Sequence, residues 1–186
     1  MAKKARFKGE REVRTFADLN HGANVLFGIA KDSPRGSYYT LMASLLLSAF
    51  TFEAYLNHLG DKTFPFWKKI ESIRVMDKYS LLCAHFKIDV DWGGRPHQTL
   101  KQLFRFRNSI AHGKSVVVVG ERIVDAEAEP HDLMPQAHWE EFCTWENADR
   151  VRTDVSAVVT QMHDAAGLGG YPFIPGAAVG GLSIVE

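Results

Sequence analysis

Ser37-Tyr38-Tyr39-Thr40-Leu41-Met42-Ala43-Ser44-Leu45-Leu46-Leu47-Ser48-Ala49-Phe50-Thr51-Phe52-Glu53-Ala54-Tyr55-Leu56-Asn57-His58, followed by Leu59-Gly60, decides the fold of this chain. Apolar residues run around most of its helical circumference, which predicts a helix covered on nearly every side, the central helix of a bundle. Gly60 reads as its C-cap. Ser44, Ser48, Thr51 and Glu53 interrupt the apolar run, making it too polar and too short for a membrane span. Glu53 shares a sector with Met42, Leu46, Ala49 and Phe50, and Asn57 follows one turn later. A lone carboxylate among apolar neighbours demands a cationic partner.

Outward from this helix, Phe16 to Lys31 reads as a first helix weakened by Asn20, Gly22 and Gly28. Asp32-Ser33-Pro34-Arg35-Gly36 is the turn between the two. On the other side, Phe64-Pro65-Phe66-Trp67 opens one or two helices that reach Phe86. Asp91-Trp92-Gly93-Gly94-Arg95-Pro96 is a break; its glycines lack the strand-to-helix setting and the lysine of a phosphate loop, so it reads as a plain turn. A helix then runs from Pro96 or His97 to His112 and closes at Gly113. Ser115-Val116-Val117-Val118-Val119 with Arg122-Ile123-Val124 predicts a short β-hairpin near 115–125. Trp139 to about Ala166 reads as the last helix, with Trp139 and Trp145 as core or interface anchors. The expectation is an all-α helical bundle carrying that one small β element. Residues 1–14 form a basic, solvated arm, residues 15–166 one helical domain, and residues 167–186 an irregular Gly/Pro-rich tail.

Composition narrows the function classes. Of 186 residues, 46% are apolar, and 22 Lys and Arg balance 22 Asp and Glu. No global field therefore draws the chain to nucleic acid or to an anionic membrane, and any nucleic-acid contact must come from a local patch. Cys83 and Cys143 lack metal-ligand spacing and read as buried, inert thiols of a reducing compartment. The basic Met1-Ala2-Lys3-Lys4-Ala5-Arg6 is not followed by a signal-peptide core, and a cytoplasmic location without membrane association is expected. His131 and His138, near Glu140 and Glu141, read as solvated surface histidines; no metal and no cofactor is expected.

The chemistry concentrates in Arg107-Asn108-Ser109-Ile110-Ala111-His112. On a wheel of residues 100–112, Leu100, Leu103, Phe104, Phe106, Ile110 and Ala111 form the apolar arc. Lys101, Arg105, Asn108 and His112 share a narrow polar sector. Arg107 falls near the middle of the apolar arc, where an unpaired guanidinium costs several kcal/mol, so it needs a carboxylate or a cleft. Pairing Arg107 with Glu53 satisfies both residues and predicts that their two helices pack together. His112 at the helix C-terminus suits general acid–base work, since the helix dipole favours its charged form. Asn108, four residues earlier, is placed to orient the ring or a ribose-phosphate. Arg107 offers a bidentate fork to phosphate, and Lys101 and Arg105 are further candidate phosphate contacts.

Arg107, Asn108 and His112, at the end of a helix in a small all-α chain, resemble the Arg-polar-x-x-x-His signature of the HEPN (higher eukaryotes and prokaryotes nucleotide-binding) superfamily. The segment Ala49–Leu59, with its acidic residue at position 53, resembles the long helix that faces this signature. The resemblance covers roughly residues 37–165. It implies an up-and-down bundle of four to five main helices, with the hairpin as an insertion, that dimerises so that two copies of the motif form one composite, metal-independent ribonuclease cleft. Attack of an RNA 2′-hydroxyl on the adjacent phosphate would leave a 2′,3′-cyclic phosphate, with Arg107, Asn108 and His112 catalytic and Glu53 and Asn57 supporting. It further implies a homodimer with an RNA substrate, acting as a toxin or phage-defence component beside an antitoxin protein. The alternative it leaves open is a non-catalytic nucleotide- or protein-binding, regulatory module.

Overall fold

The computed structural model describes residues 4–33, 35–129 and 133–185. Its elements in chain order are β1 (Lys4–Arg11), α1 (Thr15–Asp32), α2 (Tyr38–Thr63), α3 (Val75–Phe86), α4 (His97–Ala111), α5 (Trp145–Ala165) and β2 (Ala178–Val185). A single 3₁₀ turn, Trp67–Lys69, precedes α3. The fold is a bundle of five helices with a small antiparallel two-stranded sheet. Helix α2 is its centre: α1, α3, α4 and α5 all pack against it. Leu45, Ala49, Phe52, Tyr55, Leu56 and Leu59 of α2 are fully buried, and the core continues through Tyr79, Leu82, Leu100, Leu103, Val151, Val155 and Met162.

Helix α2 runs three residues past the glycine that the sequence suggests as its stop. Gly60 is buried within the helix because the Trp67 indole lies directly on its Cα, where any Cβ would collide with the ring. The glycine serves close packing rather than termination. At 26 residues α2 is also longer than the sequence suggests, and by length and composition it is apolar enough to cross a bilayer, with half of that window buried by its neighbours. The hydroxyls within it close on backbone carbonyls, Ser48 on Ser44 and Thr51 on Leu47, both at 2.8 Å. That satisfies their polarity inside an apolar surround.

Helix α1 stays continuous through Asn20, Gly22 and Gly28. Small residues let it lie close to α2: Ser44 donates across the interface to the Ala23 carbonyl at 2.8 Å, and Leu47 sits against Gly22. Helix α5 starts six residues later than Trp139 because Thr144 caps it, its hydroxyl accepting from the Asn147 amide at 3.2 Å. Residues 138–142 are turns instead. Gly167, at φ +68°, closes the far end of α5 in the left-handed region that only glycine adopts at no cost.

The sheet is not where the β-branched run predicts it. Residues 113–125 carry no strand and are exposed, with Val117 91% accessible. A hairpin there would have two short strands and nothing to bury, which is marginal in water. The strands come instead from the two terminal segments read as a mobile arm and an irregular tail. β1 and β2 pair over eight residues, with Phe7 opposite Leu182 and Ala5 opposite Ile184. The ribbon is rooted in the bundle at its base. Glu12 N–H donates to Ala177 at 2.9 Å, and Phe16 meets Phe173 with ring centroids 6.4 Å apart. Of the turn Asp32–Gly36, Pro34 lies outside the described residues, as do Met1–Lys3 of the arm.

A buried histidine, His97, and a partly buried one, His58, couple this core to pH. The Tyr79 hydroxyl lies 2.7 Å from Nδ1 of His97, and His58 packs on Phe16. Burial holds both imidazoles below their ordinary value of about 6.5. A folded-state value below the unfolded one means that stability is complete above about pH 6.5 and falls as acid protonates the unfolded chain first. Urea midpoints at about pH 7.5 and pH 5.5 should therefore differ, with a smaller gap in His97→Gln. A gap unchanged in both His97→Gln and His58→Gln contradicts this. Packing supplies a second expectation. Gly60→Ala should cost about 1–3 kcal/mol through overpacking on Trp67. Gly28→Ala, whose new Cβ meets nothing within 4 Å, should gain about 0.5–1 kcal/mol. Equal effects of the two on the unfolding midpoint would refute the distinction.

Candidate functional site

Helix α4 divides much as its wheel predicts. Leu100, Leu103, Phe104 and Phe106 are buried, whereas Lys101, Arg105, Asn108 and His112 are exposed. Ala111, on the predicted apolar arc, is exposed because the last turn of α4 extends beyond the core. Arg107 turns toward α2. Its Nη2 lies 3.3 Å from Glu53 Oε2, and both side chains are about one quarter exposed, 25% and 26%. The guanidinium also sits over the Phe50 ring, 5.6 Å from its centroid. Nη1 donates to Asn108 Oδ1 at 3.0 Å. Asn108 thus holds the guanidinium from the side opposite Glu53, leaving its own amide N–H groups to point elsewhere.

A residue that sequence reasoning overlooked completes the cluster. Lys78 of α3, with only 3% of its side chain exposed, places Nζ 3.8 Å from Glu53 Oε1 and donates to Asn57 Oδ1 at 2.8 Å. Its signal was the one that revealed Arg107: Val75, Lys78, Tyr79 and Leu82 lie at i, i+3, i+4 and i+7, so the lysine stands on the apolar stripe of its helix. Glu53 therefore answers two cations, one from α3 and one from α4. The cluster keeps a net positive charge beside Asn108, as a site for a phosphate requires.

His112 follows the last residue of α4. Its backbone N–H donates to the Asn108 carbonyl at 3.0 Å, and Gly113 continues with a bond to Ile110 at 3.2 Å. A Cβ on Gly113 would lie 3.1 Å from the Ser109 carbonyl, so glycine keeps this turn tight against the helix end. The imidazole is exposed and has no hydrogen-bond partner among the described residues.

The two candidate phosphate contacts part company. Lys101 donates to the Trp92 carbonyl at 3.3 Å and caps the Trp92 ring at 4.8 Å, so it fastens the 91–96 turn rather than reaching toward the motif. Arg105 is exposed and lines a cleft on the other flank of α4. Cys83 and Cys143 are buried free thiols, and burial pushes Cys143 up to about 11, which removes it as a nucleophile near neutral pH. His138 pairs with Glu141 at 3.4 Å on the surface; His131 lies outside the described residues. No protein-family model, curated protein or solved structure matches the chain.

Glu53→Gln removes the only carboxylate that meets Lys78 or Arg107 among the described residues. It should lower stability by about 1–3 kcal/mol, read from chemical denaturation. Adding Lys78→Met, which takes away the buried cation, should restore part of the loss. A single variant as stable as the parent would show that the cluster contributes nothing.

Proposed function

We propose that the chain is a metal-independent endoribonuclease of the HEPN type that acts as a homodimer. The observation that carries this reading is the division of labour around the end of α4. Arg107 is pinned by Glu53 and Asn108 in a cluster of net positive charge, while the His112 imidazole stands free at the helix terminus.

The chemistry follows from what each group can do. The His112 imidazole can take the proton of an RNA 2′-hydroxyl. The 2′-oxygen then bonds to the adjacent phosphorus, the bond from phosphorus to the 5′-oxygen breaks, and a 2′,3′-cyclic phosphate remains. The departing oxygen leaves as a 5′-hydroxyl and needs a proton of its own. One imidazole cannot be base and acid in the same step, so a second copy of His112 across a two-fold axis fits the reaction. Arg107 offsets the charge that gathers on the phosphate oxygens. Asn108, Glu53, Lys78 and Asn57 are positioning residues that hold the guanidinium. The need for a 2′-hydroxyl restricts the substrate to RNA. The setting proposed with this activity is a toxin or phage-defence system in which an antitoxin protein restrains the chain.

A specific observation favours a second reading: both Nη groups of the Arg107 guanidinium already have partners. In that case the chain is a non-catalytic binding or regulatory module. The two readings part in one assay. Purified protein is incubated with single-stranded RNA in EDTA, and the product ends are analysed. The ribonuclease reading expects 2′,3′-cyclic phosphate ends, and a loss of about 10²–10⁴-fold in rate for His112→Ala. Cleavage at the parental rate in His112→Ala, or none in the parent, would sink it.

A further inference from the structure

A cleft of about 310 Å³ lies between α4, the turns at 138–142 and the start of α5. Arg107, Asn108 and His112 do not line it. Phe106 forms its floor, with the Phe142 ring 5.1 Å away, and Trp139 adds a third aromatic wall. Two guanidiniums enter from facing helices, Arg105 of α4 and Arg150 of α5. Among the described residues neither meets a carboxylate. Arg150 Nη2 donates only to neutral amide oxygens, Gln102 Oε1 at 3.0 Å and Asn147 Oδ1 at 2.6 Å. Its Nε–H is buried and has no acceptor among the described residues. Asp154, one turn further along α5, is taken by a two-pronged bond from Arg95 at 2.8 and 2.9 Å.

A buried donor without an acceptor costs about 1–3 kcal/mol, and the charge of Arg150 is offset only at a distance, by Asp154, which Arg95 already holds. The bonds of Arg150 to Gln102 and Asn147 tie α4 to α5 without neutralising the guanidinium, which an anion in the cleft would do. Two cations facing each other select an anion of more than one charge. Three aromatic walls select a flat ring, worth stacking against. Gln102 keeps its amide N–H groups, and the Ser109 hydroxyl, donating to the Arg105 carbonyl at 2.9 Å, keeps lone pairs to accept from a ligand. A ring with both acceptors and donors on its edge fits that pair. The volume lies within the range of small-molecule sites, on the order of 300–1,000 Å³.

We infer that this cleft binds a nucleoside monophosphate unit, its phosphate between Arg105 and Arg150 and its base against Trp139, Phe106 and Phe142. The inference stands apart from the ribonuclease reading, since it needs none of the motif residues. The unit arrives either as a free mononucleotide or as part of a single strand. Glu141, also on the cleft and bonded to His138, opposes the phosphate and sets a limit on affinity.

Calorimetric titration of the full chain tests it, with uridine and adenosine 5′-monophosphate, the two nucleosides, inorganic phosphate and a short single-stranded DNA. The expected result is binding of the monophosphates at least about tenfold tighter than phosphate or nucleoside alone. Arg105→Gln and Trp139→Leu should each weaken it about tenfold, and Glu141→Gln should tighten it. Arg105 is exposed, so its variant leaves the fold intact even if Arg150→Gln does not. Binding of the DNA but not of the monophosphates, lost in the same variants, assigns the unit to a strand. Failure of both to bind, phosphate binding as tightly as nucleotide, or affinity indifferent to Arg105→Gln and Trp139→Leu overturns the inference.

Discussion

Glu53 stands on α2, the helix that every other helix covers, and its carboxylate is three-quarters shielded from water. A charge in that position must be answered, and the answer ties three helices together. Lys78 brings α3 to it and Arg107 brings α4, while Asn57 of α2 accepts a hydrogen bond from Lys78. Apolar packing alone would let these helices slide or rotate, because one Leu surface resembles another. The ionic cluster fixes which face of α4 turns inward, and thereby which residues of α4 turn outward. The exposure of Asn108 and His112 is set from inside the bundle.

That constraint explains why this part of the molecule was legible in the sequence. A charged residue on an apolar arc is a conflict between two rules, and it can be resolved only by a partner with the same conflict. Glu53 and Arg107 were each visible in that way, and the structure contains their ion pair at 3.3 Å. Lys78 posed the same conflict on a shorter helix with a weaker wheel and was passed over. What sequence could not supply was anything depending on distant pairing. The β1–β2 ribbon joins residues from the two ends of the chain, Lys4 with Val185 through Arg11 with Ala178, and each strand alone reads as a charged arm or a glycine-rich tail. Conversely, the valines at 116–119 carry strong strand propensity but have no partner surface, and propensity without burial does not make a strand. The cleft escaped notice for another reason. Its wall at 137–143 reads as the first turns of α5, and only the Thr144 cap shows that the helix begins later.

Helix α4 works along more than one edge. Arg107 faces α2. Gln102, Arg105 and Ser109, spaced three and four residues apart, face the cleft. Asn108 and His112 lie between those directions, in solvent. A helix has a fixed angular step, so moving any of these groups to another face would require changing the register of all of them. The core contacts of Leu100, Leu103 and Phe104 hold that register. Stability and site geometry are therefore set by the same residues on this helix.

The zero net charge of the chain hides the feature that matters most for its function. Carboxylates and cations balance in number, yet they are not balanced in place. Around α4, Lys78 and Arg107 share one carboxylate, and among the described residues Arg105 and Arg150 form no ion pair of their own. Surface cations pay little for such isolation because water screens them, but Lys78 and Arg150 are largely withdrawn from water. Lys78 is answered by Glu53, which it shares with Arg107, and Arg150 keeps a buried Nε–H without an acceptor among the described residues. Under the proposed readings, these cations on two flanks of α4 would be where a phosphate-bearing molecule is held. That conclusion rests on where the charges lie, and it holds for either reading of the motif.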